Sequence, residues 1–367
     1  MNLKMAKPKM DMLKMGKPET SVLAKTGKPK VQPRNIGIDL GTANLLVYLE
    51  GDGIVFDEPE VIAFDYETHE VIAIGNSAVD MIGRGHSGIK IVSPLTQGVI
   101  SDMDSAKKLI EHALRRVEKD SINLKASTIL ICCPSEVTNL ERDSLIGLAE
   151  TLGVKDVLIE EEVKAGSIGA GLDIYSCTGS MVVDIGGGST DIGVLALGDI
   201  VVSESIRTAG NYIDLAIIKY MQHEYELLIG KRTAERIKIE IGTLREEIKD
   251  EKTTAVSGRD VVTGLPKKLI ITESEIRDVL LEPYETITNT IRKVLQNTPA
   301  ELSADIITKG VTINGGGALT DGIEEYFTKH VGLDFHVAKN PLTAIVEGTK
   351  ILLKNRGSYY IKPTEIE

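Results

Sequence analysis

The sequence predicts an α/β protein of two related lobes, on three observations. From Asn35 onward short β-branched runs alternate with longer helical patterns, one strand, glycine turn and strand segment recurs after 145 residues, and a triple-glycine turn follows a buried run ending at Asn314. Strands are expected over residues 36–39, 45–49, 60–64, 71–74, 128–133, 181–184, 192–197, 199–205, 268–272 and 311–314, where Val, Ile, Leu and Thr cluster between turn residues. Helices are expected over 105–119 and 136–152, from about 162, and over 211–228, 231–241, 273–296 and 342–354. The helix at 273 carries a start signal, since Thr272 precedes Glu275 by three residues as in a capping box.

Composition narrows the class. The 367 residues, 42% hydrophobic and 26% charged, suffice for two cores and exclude a disordered or fibrous chain. No apolar run approaches the roughly 18 residues of a membrane span, and the start lacks the apolar core of a secretory signal, so a cytoplasmic location, at most peripheral to a membrane, is expected. Cys132 and Cys133 share an apolar strand-like run and Cys177 stands apart, which fits neither a disulfide nor a zinc framework. Residues 1–34 hold nine basic and two acidic residues, so this arm carries +7 and the rest of the chain, at −12 overall, is left with −19. An acidic body repels nucleic acid, whereas a basic arm is drawn to anionic surfaces. The Lys7-Pro8, Lys17-Pro18 and Lys28-Pro29 steps forbid one continuous helix there, and a mobile arm is expected.

The internal repeat carries the chemistry. Asn35-Ile36-Gly37-Ile38-Asp39-Leu40-Gly41-Thr42-Ala43-Asn44 matches Met181-Val182-Val183-Asp184-Ile185-Gly186-Gly187-Gly188-Ser189-Thr190 in pattern: a strand, an acid, a glycine turn with a hydroxyl, then a strand. Glycines let backbone N–H groups approach phosphate oxygens without an intervening Cβ, so two facing copies would clamp a polyphosphate. Asp39 and Asp184 would hold hydrated Mg²⁺ beside it, mostly through water; a turn-capping role is the plain alternative for either. Val311-Thr312-Ile313-Asn314-Gly315-Gly316-Gly317-Ala318 runs into a turn suited to close approach of a base or ribose, with backbone angles at Gly316 that glycine alone would tolerate.

In this order the motifs resemble the five-motif nucleotide site of the actin, sugar-kinase and heat-shock-chaperone superfamily. With Met81-Ile82-Gly83-Arg84, Gly98-Val99-Ile100-Ser101-Asp102, Thr233-Ala234-Glu235-Arg236-Ile237-Lys238 and Asn340-Pro341-Leu342-Thr343, the chain resembles the MreB family of bacterial actins from about residue 35 to 355. The resemblance implies an actin-like (ribonuclease H-like) two-lobed ATPase fold, each lobe a duplicated βαβ core with a smaller inserted subdomain. Residues 35–175 plus about 338–355 would form lobe I with its insertion near 60–93, and 176–337 lobe II with its insertion near 208–275; the arm 1–34 and a tail 356–367 flank them.

The resemblance also implies roles. Asp39, Gly41, Thr42, Ala43 and Asn44 match the first phosphate loop, and Asp184, Gly186, Gly187, Gly188 and Ser189 the second. Glu162 matches the residue that orients the attacking water, with Glu161 the alternative if the register slips by one. Glu235 and Lys238 match ribose-side contacts, against the plainer reading of an intrahelical ion pair. Gly315, Gly316, Gly317 and Ala318 match the adenosine loop. Val163 stands where the family has proline, Lys164 in a helix otherwise of small residues, Ser189 and Asn314 for threonines, which bears on the hydrolysis rate. The cofactors implied are ATP or ADP with Mg²⁺, and the partner is the protein itself, in a filament that helps set cell shape. An anionic membrane is a further partner through residues 1–34 or the loop containing Ile122 and Leu124. The rivals are a small-molecule kinase, which would need an acidic base in an acceptor motif not found here, a chaperone ATPase, for which no substrate domain follows, and a slowly hydrolysing regulator.

Overall fold

The computed structural model describes residues 34–84, 88–96, 98–118, 124–134 and 137–355. Two five-stranded mixed sheets organise them. The first runs in the order Asp156–Glu161, Thr128–Cys133, Ile36–Leu40, Asn44–Leu49, Gly53–Pro59; the second runs Phe335–Val337, Val311–Asn314, Ser180–Ile185, Thr190–Ala196, Asp199–Ile206. In each, a central strand pairs in parallel on one side and folds into an antiparallel hairpin on the other. The repeat is therefore a repeat of sheet position: Asp39 lies opposite Leu46 and Cys132, and Asp184 opposite Asp191 and Asn314.

The core-facing residues explain the layers. Ile36, Ile38, Val47, Ile129 and Ile131 of the first sheet pack on Leu109, Leu114 and Leu145 of the helices Met103–Glu118 and Asn139–Thr151. The second sheet buries Met181, Val183, Ile192 and Ile313 against Ile213 and Ile217 of helix Gly210–Tyr225 and Tyr284 and Ile287 of helix Glu273–Asn297. Burying each of these aliphatic side chains contributes about 1.5–3 kcal/mol. The Thr272–Glu275 capping box is present, its side chains bonding each other's backbone N–H groups.

Two smaller sheets follow first-sheet and second-sheet hairpins: Val71–Ile74, Ile62–Asp65 and Ile89–Val92 in one, and Leu227–Leu228, Thr253–Asp260 and Pro266–Thr272 in the other. Strands Gly53–Pro59 and Thr253–Asp260 and helices Ala300–Lys309 and Ile323–Val331 were not expected from the sequence. Both strands pair antiparallel and mix exposed polar with buried apolar positions, so no continuous β-branched run marks them.

The helix Glu162–Gly169 owes its small residues to one close crossing. A Cβ on Gly169 would fall 1.7 Å from the Ala344 carbonyl oxygen, and one on Gly348 1.9 Å from that of Ala165. Only glycine lets this helix and helix Ala344–Lys354 meet backbone to backbone. That crossing fixes where Glu162 points.

Among the described residues no helix is long and apolar enough to cross a membrane. Leu124, expected at a membrane-facing loop, is instead buried among Ile129, Leu145 and Leu148. The reason is local: its short turn, Leu124–Ala126, leads directly into the buried strand Thr128–Cys133, which draws the leucine inward. Ile122, the tail 356–367 and residues 1–33 of the arm lie outside the described residues.

Candidate functional site

The glycine turns of the two hairpins face each other. A Cβ on Gly187 would sit 2.9 Å from the Ala43 methyl carbon, and one on Gly188 2.5 Å from Thr42 Oγ1 and 2.7 Å from the Gly98 nitrogen. Side chains at 187 and 188 would prise the turns apart, so these two glycines set their spacing. Gly98, in the left-handed region at φ 76°, brings the turn after Pro94 against Ser189, whose Cβ lies 2.8 Å from where a Gly98 Cβ would be. Gly41 sits at the mouth of the first turn, beside the Asn44 carbonyl, and Asn44 Nδ2 donates to Asp57 Oδ1 at 2.9 Å.

Five carboxylates are buried behind these turns: Asp39, Glu60, Glu162, Asp184 and Asp191. Asp39 and Asp184 are the penultimate residues of their strands, and Asp191 faces Asp184 across the hairpin. Ser189 Oγ donates to Asp191 Oδ2 at 2.7 Å, which aligns the hydroxyl of the second turn. Asn314 Nδ2 donates to the Gly166 carbonyl at 3.0 Å, and a Cβ on Gly166 would meet Asp184 Oδ2 at 3.3 Å, so helix Glu162–Gly169 is seated directly on the second acid.

Of the three successive glutamates, Glu162 is the one in the cluster, 7% exposed at the first position of its helix. Glu160 reaches Lys164 Nζ at 3.3 Å, and Glu161 is half-buried at the helix N-cap. Lys164 is thereby turned to Glu160, and Val163 packs with Ile168, Val182 and Leu195 in a separate core, so neither departure from the family pattern is among the five acids.

Electrostatics mark the cluster. Burial, then the charge of Asp57, pushes Asp39 up to about 7. Burial, then Asp191 and Asp39, holds Asp184 well above the carboxylate range, and burial, then Asp39, Asp191, Asp184 and Glu60, does the same to Glu162. Asp39 Oδ1, Asp184 Oδ2 and Glu162 Oε1 are buried without a hydrogen-bond partner among the described residues. Uncompensated buried oxygens of this kind cost about 1–3 kcal/mol each or more, and a cationic ligand relieves them. These orphaned carboxylate oxygens fit a cation that keeps its water, as Mg²⁺ does.

The remaining expected contacts divide. Gly210 N–H and Asn211 N–H donate to the Gly186 and Gly187 carbonyls at 3.1 and 2.8 Å, tying helix Gly210–Tyr225 to the second turn. Lys238 Nζ donates to the Gly210 carbonyl at 3.1 Å and pairs with Asp214 Oδ1 at 2.8 Å, so it reaches the start of helix Gly210–Tyr225 rather than Glu235, which is exposed on the same helix as Lys238. At the third turn the left-handed glycine is Gly315, φ 80°, where a Cβ would strike the Ile185 carbonyl at 2.3 Å and Asp184 Oδ1 at 2.6 Å. Gly317 packs on Ile185 and Ala318 is buried, but a Cβ on Gly316 would meet only Leu342 Cδ2, at an ordinary 3.6 Å. The conformational demand expected at Gly316 thus falls on Gly315, and Gly316 leaves open space. Glu60, Asp191 and Asp214 were not singled out from sequence; Asp191's place in the repeat, seven residues after Asp184, was the available signal.

The sequence model of the MreB/Mbl protein family matches residues 33–360. The cell shape-determining protein Mbl of Bacillus subtilis is 42% identical over 322 residues, 88% of this chain and 96% of that one. The cell shape-determining protein MreB of Escherichia coli K12 is 37% identical over 320 residues, 86% of this chain and 91% of that one. A crystal structure of MreB5 of Spiroplasma citri bound to ADP superimposes with a TM-score of 0.84 at 43% identity, covering 88% and 97% of the two chains; MreB5 was also solved with AMPPNP. A MamK double helical filament, at 20% identity and TM-score 0.73, shares the actin-like fold. Matched along almost its whole folded length by the family model and by relatives well above 30% identity, the chain belongs to the MreB/Mbl family.

Proposed function

We propose that this protein is an actin-like ATPase that binds Mg-ATP between its two lobes and polymerises into filaments that act in cell-shape determination. The observation that carries the reading is the pair of equivalent acids, Asp39 and Asp184, with unsatisfied buried oxygens behind facing glycine turns. It is supported by the ADP and AMPPNP held by the MreB5 relative and by the cell-shape role named for Mbl and MreB.

In this reading the N–H groups of turns 41–44 and 186–189 cradle the phosphates, and Thr42 and Ser189 hydroxyls line them, Ser189 held by Asp191. Asp39 and Asp184 would hold hydrated Mg²⁺, which supplies charge stabilisation as the terminal phosphoryl group departs. Glu162 accepts a hydrogen bond from the attacking water and aims it in line; with Val163 and Lys164 turned elsewhere, this geometry is undisturbed by either. The Gly210 and Asn211 N–H groups secure helix Gly210–Tyr225 to the second turn, and Lys238 braces the start of that helix, so lobe II would move with the phosphates. Subunit contacts that span both lobes would then read nucleotide state as a closure angle.

Electron microscopy of the purified protein with Mg-ATP, Mg-AMPPNP and no nucleotide, run beside a phosphate-release assay, tests the reading. Filaments dependent on nucleotide, and phosphate release, are expected; release without filaments, stimulated by a sugar, would favour a kinase. Asp184→Asn should weaken Mg-ADP binding about tenfold, because a carboxylate holding metal-bound water is lost. Unchanged affinity in magnesium buffer would count against the site.

The arm adds a proposed membrane contact at the inner face of the cell membrane. Each Lys or Arg near an anionic bilayer contributes about 1 kcal/mol, and a filament multiplies weak arms by avidity. Polymer should co-sediment with anionic vesicles at low salt and release at high salt, and deleting residues 1–34 should abolish this while ADP binding persists. Equal sedimentation with neutral vesicles, or none lost on truncation, would remove the arm from the function.

A further inference from the structure

Glu60 is the acid of the cluster that the proposed function does not use. It follows strand Gly53–Pro59 and is pinned by its own backbone, whose N–H donates to the carbonyl oxygen of Ala43 in the first phosphate turn at 3.0 Å. Its side chain is 1% exposed, and neither Oε1 nor Oε2 has a hydrogen-bond partner among the described residues. Its sequence neighbours differ: Asp57 accepts from Asn44 and Glu58 pairs with Arg116 at 2.6 Å. Bonded to Ala43 and buried, Glu60 is near enough to Asp39 and Glu162 for their charges to act on one another.

A buried carboxyl with two idle oxygens is costly whether ionised or protonated, because either form lacks a partner in the protein. A ligand that donates hydrogen bonds would supply the missing partner. Phosphate oxygens accept only, whereas water bound to a divalent cation donates, and a carboxylate with two free oxygens beside Asp39 is built to accept from such water.

We propose that Glu60 accepts hydrogen bonds from water bound to the divalent cation of the nucleotide site, and so sets how strongly nucleotide binding depends on that cation. The proposal rests on the nucleotide reading above, and separates from it by the sign of the effect without metal. Removing this negative charge weakens the cation's hold but eases the approach of an uncompensated polyphosphate.

The test is titration of a fluorescent ADP analogue into the full-length protein at graded Mg²⁺ and in EDTA, for wild type and Glu60→Gln, with ligand-free thermal unfolding of each. Glu60→Gln should raise the Mg²⁺ concentration for half-maximal ADP binding about tenfold. In EDTA its ADP affinity should equal or exceed wild type, and its ligand-free melting temperature should not fall. Glu60→Ala should show the same split with a lower melting temperature, since it leaves a void. An unchanged Mg²⁺ dependence in Glu60→Gln, or equal losses with and without Mg²⁺ alongside a lower melting temperature, overturns the proposal while the nucleotide site stands. A wild-type protein that binds no ADP under either condition overturns both.

Discussion

Gly316→Val is expected to fold normally and to lose ADP affinity by 100-fold or more, about 2.7 kcal/mol. Of the three glycines in this turn it is the only one whose added Cβ meets nothing tighter than Leu342 Cδ2 at 3.6 Å, and its φ lies outside the left-handed region. The branched side chain therefore projects into open space rather than into the protein, and folding stability should change by about 0.5 kcal/mol or less. The contrast is Gly315→Val, which would force a left-handed φ and drive a Cβ into the Ile185 carbonyl and Asp184 Oδ1; it should unfold the turn and lower the melting temperature as well. Calorimetric unfolding with ADP titration separates the two. Gly316→Val that melts normally and binds ADP normally would place adenosine elsewhere.

Glu162→Gln is expected to slow phosphate release about 100-fold while leaving ADP affinity and filament formation within about threefold of wild type. A residue that aims the attacking water contributes chiefly to the transition state, so its loss falls on turnover rather than on binding. Gln keeps the volume and removes one of five mutually repelling buried acids, so the fold should not suffer. Glu161→Gln is the internal control: half-buried at the N-cap and not among the five buried acids, it should change turnover little. Single-turnover phosphate release on both variants decides the matter, and the reverse pattern would shift the role to Glu161.

How much of this was legible beforehand depended on the kind of information each residue needed. The strands Thr128–Cys133 and Val311–Asn314, and the helix Lys231–Ile241, were readable to their ends because composition alone separates them from their turns. Gly53–Pro59 was not, since it begins in a Gly-Asp-Gly turn and carries two acids, Asp57 exposed and Glu58 paired with Arg116. Leu124 looked like a surface anchor in a short loop, and only its packing against Ile129, Leu145 and Leu148 showed it to be core.

By itself the sequence determined the duplication. Two copies of acid, glycine turn and hydroxyl, 145 residues apart, predicted two equivalent strand ends, and glycine in both turns permits close backbone approach. Local chemistry carries that far because glycine conformational freedom and strand alternation act over a few residues. Only the tertiary structure decided which acids share the enclosed space. Asp191 enters by its cross-strand register with Asp184, Glu60 by a backbone bond to Ala43, and Glu162 from the first position of a helix whose Gly166 is seated against Asp184, whereas Asp214 stays outside, paired with Lys238. Burial and mutual repulsion exist only between groups brought together from distant parts of the chain, and the unsatisfied oxygens that point to a bound cation arise from those two effects alone.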